Sequence, residues 1–115
     1  MNTDEKVIDL ELGKSLVGGS LEMAYEILQM LSDALPQHKA ILIKAVTDQK
    51  LENIRTEAHK LHGAACFTGT PRLKTAAKAL EQAAKHNQAE EIPALSKNLF
   101  DEMAAFEEAY KEMDK

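Results

Sequence analysis

Apolar residues recur at alternating steps of three and four along most of this 115-residue chain. That spacing places them on one side of an α-helix, which has 3.6 residues per turn. No stretch shows the period-two alternation of a strand. The pattern therefore predicts an all-α fold, an antiparallel four-helix bundle with a short N-terminal helix covering one end. The predicted helical segments are residues 8–17, 21–47, 50–67, 70–87 and 89–113.

The expected core is the apolar side of each long segment. His38 is the polar exception, because it falls in the core register of the second segment and should be satisfied or partly exposed there. The predicted core residues are Ala24, Leu28, Leu31, Leu35, Leu42, Ala45, Leu51, Ile54, Ala58, Leu61, Ala65, Leu73, Ala76, Ala77, Leu80, Ala84, Ile92, Leu95, Leu99, Met103, Phe106, Tyr110 and Met113.

A few residues mark where helices begin, end or bend. Gly18 and Gly19 should end the first segment, and Ser20 can cap the second. Pro71 suits the first turn of the fourth. Pro36 lies inside the second segment, whose apolar spacing continues on both sides of the proline. We therefore expect either one kinked helix or two stacked helices there.

Composition narrows the class of protein. The net charge of −5 disfavours a general nucleic-acid binder, which needs positive charge to neutralise phosphates. The only cysteine, Cys66, excludes an internal disulfide and fits a reducing compartment. No apolar run approaches the roughly 18 residues of a membrane span, and the acidic start does not resemble a signal peptide. We therefore expect one cytoplasmic domain over residues 1–115, either free-standing or part of a longer protein.

The stretch EAHKLHGAA, residues 57–65, holds the residues most able to do chemistry. His59 lies about 100° around the helix from the core residue Ala58. Its side chain should therefore lie at the edge of the core, partly packed against the bundle and partly open to solvent. Gly63 follows one turn later on the same face, although a helical glycine costs about 1 kcal/mol relative to alanine. A bare surface beside the imidazole would let a large partner reach it. The alternative interpretations are that His59 is an ordinary surface histidine and that Gly63 is required for close packing of the helix.

The longer segment EAHKLHGAACFTGTPRLKTAAKALE resembles the phosphotransfer site of histidine-containing phosphotransfer (HPt) domains. Their pattern is roughly His-x-Leu-Lys-Gly, small residues, a glycine, and then a Leu-rich helix. The resemblance covers residues 8–85, and it is closer to the HPt module of BarA/GacS-type hybrid sensor kinases than to HPt domains in general. It implies a phosphorelay intermediate that accepts a phosphoryl group from a receiver-domain aspartate on His59 and passes it to another receiver.

The resemblance also implies roles for residues around His59. Glu81, twenty-two residues later, would accept Nδ1–H and leave Nε2 free to attack. His62 stands where many HPt domains have a lysine that helps to hold the phosphoryl group. Lys60 or Lys78 could compensate, although surface lysines are usually only solvated charges. Gly63 would give the partner access.

The expected partners are receiver domains of a hybrid sensor kinase or a response regulator. No nucleic-acid or membrane contact is expected, and the chain should be a monomer. We expect no cofactor or metal on the chain, since Mg²⁺ would be held by the receiver. The chain lacks a Gly-rich phosphate loop, so it should be a phosphoryl carrier without an ATP site and not an enzyme. The expected docking face comprises Arg55, Lys60, His62, Gly63, Cys66, Leu12 and Leu16.

Two other functions are compatible with a helical bundle. One is an interaction adaptor that is never phosphorylated, in effect a degenerate HPt domain. The other is a dimerising histidine-kinase bundle, which a single chain holding a complete bundle disfavours. His59 and His62 could bind a metal together, but the sequence offers no third ligand at a useful spacing. Cys66 could be a nucleophile, but a small buried residue is the simpler interpretation.

Overall fold

The computed structural model describes residues 5–113, and within them it consists of helices joined by short turns. The four long helices pack as the predicted antiparallel bundle, preceded by a short one, so the predicted fold is confirmed. The helices are α1 (Leu10–Leu16), α2 (Leu21–Thr47), α3 (Leu51–Ala65), α4 (Pro71–Lys85) and α5 (Ile92–Met113), with a 3₁₀ turn at Ala89–Glu91.

The helix boundaries follow local chemistry. The Ser20 hydroxyl accepts a hydrogen bond from the Met23 amide at 3.1 Å, which caps α2 as expected. Pro36 lies inside α2, so the structure has one helix there and not two stacked pieces. The helix α3 ends at Ala65, two residues earlier than predicted, and α5 begins only after the 3₁₀ turn.

The loop between α3 and α4 holds α1 in place. The Asp9 amide donates to the Gly69 carbonyl at 2.7 Å, and Gly69 has a φ of 68°. A Cβ on Gly69 would lie 2.5 Å from the Asp9 carbonyl oxygen and 2.7 Å from the Gly13 nitrogen. Only glycine permits this approach. The short helix therefore lies across the end of the bundle where α3 gives way to α4.

The core lies where the four apolar stripes meet. Of the predicted core residues, Leu51, Leu95, Tyr110 and Met113 are only partly buried, and all the other apolar ones are buried. Among residues 5–113, no helix is both long enough and apolar enough to cross a bilayer. Because the core fixes the rotation of each helix, it also fixes which side chains of α3 and α4 meet at the surface.

Candidate functional site

His59 lies on the open side of α3 and is anchored at one ring nitrogen. Its side chain is 69% exposed, and its Nδ1 lies 2.7 Å from Oε2 of Glu81 on α4. An ionised carboxylate can only accept hydrogen bonds, so Nδ1 is the donor. In the neutral form of the ring, a proton on Nδ1 leaves Nε2 with its lone pair. The arrangement therefore holds the imidazole by one nitrogen and leaves the other without a partner on Glu81.

Glu81 is shielded by the two helices that it joins. Its side chain is only 13% exposed, at the side of α4 that faces α3. A carboxylate in this position is less hydrated than a surface glutamate, so its attraction for a neighbouring N–H is screened less. Glu81 can therefore fix both the tautomer and the orientation of the His59 ring.

The surface next to His59 is bare at Gly63. A Cβ built on this glycine would meet no atom within 4 Å outside its own helix backbone, and its φ is not in the left-handed region. Neither packing nor backbone conformation thus requires a glycine at position 63. The physical reason that fits this glycine is that it leaves the His59 imidazole open to an approaching molecule.

His62 lies on the same side of α3 as Glu81, and both of its ring nitrogens face neighbouring side chains. Its Nδ1 is 3.8 Å from Oε1 of Glu81, and its Nε2 is 3.9 Å from the Sγ of Cys66. The side chain is 21% exposed. The structure thus places His62 in contact with the anchor of His59.

The two lysines named from the sequence are exposed and lie apart from these contacts. Neither Lys60 nor Lys78 forms a hydrogen bond or ion pair with His59 or Glu81 within residues 5–113. Lys60 borders a groove between α2 and α3. Lys78 precedes Glu81 by three residues on α4, so it lies on the same face of that helix.

Arg55 lies one turn before His59 and is held by Glu52. Its Nη2 donates to Oε2 of Glu52 at 2.5 Å; the Glu52 side chain is well exposed, and that of Arg55 is partly exposed. This hydrogen bond, followed by the charge of Arg55, lowers the pKa of the Glu52 carboxyl below its ordinary value. The same hydrogen bond, then the charge of Glu52 and more weakly that of Glu81, raises the pKa of the Arg55 guanidinium. Arg55 therefore carries its charge beside His59.

An apolar groove between α2 and the end of α3 was not expected from the sequence. Met30 of α2 is 68% exposed, and Phe67, just after α3, is 58% exposed. They border a groove that is almost entirely apolar, which we call the apolar groove; its lining is Ile27, Met30, Leu31, Ala34, Ala64, Phe67 and Thr68. A phenylalanine in a turn was the available signal, because exposed aromatic side chains often mark contact surfaces.

Comparisons with known proteins show the family of this chain. Residues 26–113 match the Hpt domain family. The chain is 32% identical over 84 residues to the signal transduction histidine-protein kinase BarA of Escherichia coli K12, a stretch that covers 73% of this chain and 9% of the kinase. It is 31% identical over 81 residues to the sensor protein GacS of Pseudomonas syringae, covering 70% of this chain and again 9% of that protein.

A solved structure has the same fold. It is the crystal structure of the HPT domain from a sensor hybrid histidine kinase of Shewanella, with a TM-score of 0.86 and 27% sequence identity. The match covers 93% of this chain and 92% of that one. In contrast, the chain spans about a tenth of the length of the two sensor proteins above. Fold and sequence lead to the same conclusion, and the chain belongs to the Hpt domain family of phosphotransfer modules.

Proposed function

We propose that this domain carries a phosphoryl group on Nε2 of His59, accepting it from the aspartate of one receiver domain and passing it to another. The observation that carries the proposal is the 2.7 Å contact from Nδ1 of His59 to Glu81 on a side chain that is otherwise open to solvent. The anchor occupies one nitrogen and leaves the other facing the direction from which a partner can approach. Gly63 keeps that approach clear.

The chemistry needs little from the domain beyond this arrangement. The Nε2 lone pair of neutral His59 attacks phosphorus, the bond from phosphorus to the aspartate oxygen breaks, and the carboxylate leaves with the electron pair. The ring then bears phosphorus on Nε2, a proton on Nδ1 and a positive charge, which the Glu81 carboxylate balances. Onward transfer reverses these steps and returns neutral His59. The receiver would supply Mg²⁺, which stabilises the charge on the transferred group.

The proposed docking face surrounds His59. From the sequence we assign to it Arg55, Lys60, His62, Gly63, Cys66, Leu12 and Leu16. Leu12 and Leu16 are 38% and 41% exposed, while Lys60 and Gly63 are exposed and the others partly buried. We add the apolar groove, since its lining residues Ala64 and Phe67 directly follow Gly63 and Cys66 in the chain, and since it offers the apolar centre that a protein interface needs. Receivers are therefore the proposed partners.

The setting of the domain is also a proposal. The similarity to two sensor proteins favours a hybrid-kinase phosphorelay, with this chain acting as its carrier module. Phosphoryl groups would then come from a receiver and not from ATP, so the domain would need no ATP site. The single-domain extent over residues 1–115, the monomeric state and the cytoplasmic location stay predictions.

Labelling by phosphorylated receivers tests the proposal. The full chain is incubated with a panel of ³²P-labelled receivers, and the position of the label is mapped. We expect acid-labile label on the parent and none on His59→Gln, with unchanged circular dichroism for both. His86→Gln is a matched control, because His86 is an exposed histidine at the end of α4.

Two results would contradict the proposal. One is label on His59→Gln at the parent level, which would place the phosphoryl group elsewhere. The other is a folded parent that binds receivers but takes no label from any of them, which would favour the adaptor function.

A further inference from the structure

A phosphoryl group on His59 would bring a large negative charge to the site. It adds about 1.5 to 2 negative charges at neutral pH and three oxygens that accept strong hydrogen bonds. On Nε2 it would lie close to the carboxylate of Glu81, which is 2.7 Å from the other nitrogen of the same ring. A cation within reach of the phosphoryl oxygens would therefore stabilise the phosphorylated state.

Arg55 lies in the turn of α3 towards which the His59 side chain leans. The Cα–Cβ bonds of an α-helix tilt towards its N-terminus, so a side chain covers the turn that precedes its own Cα. Arg55 is four residues before His59, on the same face of the helix. The pKa of its guanidinium is raised first by the hydrogen bond and the charge of Glu52 and more weakly by the charge of Glu81, so the electrostatic field of the site reaches it.

The two lysines considered from the sequence are less well placed. Lys60 is about 100° further around α3 than His59, and it borders the groove between α2 and α3, away from α4. Lys78 is one turn before Glu81 on α4. Because α3 and α4 run antiparallel, that turn lies opposite the later part of α3, around Gly63, and not opposite the turn towards which the imidazole leans.

In the unphosphorylated domain, Glu52 holds the guanidinium of Arg55. Nη2 donates to Oε2 at 2.5 Å, and Nε donates to Oε1 at 3.4 Å. The side chains of Arg55 and Glu52 are 40% and 72% exposed, and ion pairs this open to water are weak. A phosphoryl group carries more charge than a carboxylate and fits the same two-point geometry of a guanidinium. It can therefore displace Glu52.

We propose that Arg55 exchanges partners when the domain is phosphorylated: its guanidinium leaves Glu52 and donates two hydrogen bonds to the phosphoryl oxygens on His59. No covalent bond changes in this exchange, and the guanidinium stays protonated with either partner. The inference rests on the proposed function of His59. Arg55 is then a phosphoryl-binding residue, and Glu52 weakens that binding by competing for the guanidinium.

The partition of label between a receiver and the domain tests the exchange. A ³²P-labelled receiver and the full chain are brought to equilibrium, and the label on each protein gives the equilibrium constant for transfer onto His59. We expect Arg55→Gln to lower this constant about fivefold, the upper range for an exposed ion pair, and Glu52→Gln to raise it about twofold. Weaker docking alone would slow the approach to equilibrium but leave the constant unchanged.

The double variant Arg55→Gln, Glu52→Gln separates the exchange from simple removal of charge. Its constant should equal that of Arg55→Gln, because Glu52 then has no guanidinium for which to compete. Lys85→Gln is the matched control, since it removes the same charge from an exposed position one turn after Glu81, and its constant should stay close to that of the parent. An equal loss in Lys85→Gln, or an undiminished effect of Glu52→Gln in the double variant, would overturn the exchange.

The Nε–H resonance of Arg55 reports its partner directly. In the unphosphorylated chain, Glu52→Gln should move this resonance, because Nε donates to Oε1 of Glu52. In the phosphorylated chain the same substitution should leave it nearly in place, and a resonance that phosphorylation does not move would refute the exchange. If the parent takes no label on His59, the proposed function fails; a labelled parent whose constant is unchanged by Arg55→Gln refutes only the exchange.

Discussion

Nδ1 of His38 on α2 lies 2.5 Å from Oε2 of Glu57 on α3, and this pair ties the two helices together two residues before His59. The Glu57 side chain is 6% exposed and that of His38 16%. A carboxylate this deeply buried is costly unless it is paired. The pair therefore satisfies both groups and helps to specify how α2 and α3 pack.

We expect Glu57→Ala to destabilise the domain by about 2–3 kcal/mol, because it leaves a mostly buried imidazole without its partner. The double variant His38→Leu, Glu57→Leu should lose no more than about 1 kcal/mol, since two apolar side chains can replace a buried pair. Urea unfolding measures both. Glu52→Ala is the control, because that glutamate is exposed on the same helix; equal losses for Glu52→Ala and Glu57→Ala would contradict the prediction.

The sequence predicted the helices well because their determinants are local. The spacing of residues such as Leu28, Leu31 and Leu35 shows which side is buried, and the hydroxyl of Ser20 caps the turn that follows it. The expectation that His38 is a satisfied or partly exposed residue in the core register is confirmed, because its ring is paired with Glu57 and 16% exposed. These features depend on neighbours within one or two helical turns.

Contacts between distant parts of the chain could not be predicted from the sequence in the same way. The pairing of Glu57 with His38 depends on which turn of α2 faces it. Met30 and Phe67 each look like a single exposed apolar residue until the bundle places them beside one groove. The contact of Glu81 with His59 was implied by the family resemblance, not by its spacing of twenty-two residues.

Removal of the apolar groove should weaken receiver binding and leave stability almost unchanged. We expect Phe67→Ser and Met30→Gln each to raise the Kd for a receiver about tenfold, or 1.4 kcal/mol, because both side chains are exposed in the free domain and would be buried in the complex. Isothermal titration calorimetry provides the Kd. Ile43→Gln is the control, as Ile43 is also exposed on α2 but lies outside the groove. An unchanged Kd for both groove variants would remove the groove from the docking face.

Gly63→Leu should slow phosphoryl transfer at least about tenfold while the helix becomes no less stable, since leucine is the better helix former. Gly63→Ala should gain up to about 1 kcal/mol, because its Cβ meets open space, and should transfer faster than the leucine variant. Thermal unfolding and transfer rates are measured on the same samples. Ala104→Leu, at an exposed position of α5, controls for the added side chain. A marked loss of stability with normal transfer would show that Gly63 serves packing.

Glu81→Ala should reduce the transfer rate about tenfold without abolishing it, because the His59 ring can then rotate and adopt the wrong tautomer. Glu81→Gln should do less harm, since its amide oxygen can still accept the bond from Nδ1. Ring ¹⁵N shifts of His59 report the tautomer independently of any partner, and the proportion of the Nδ1–H form should fall in the order parent, Glu81→Gln, Glu81→Ala. Gln82→Ala serves as the control, because Gln82 is the next residue on α4 and contacts His86. If the tautomer and the rate are the same in the parent and in Glu81→Ala, the 2.7 Å contact does not orient the ring.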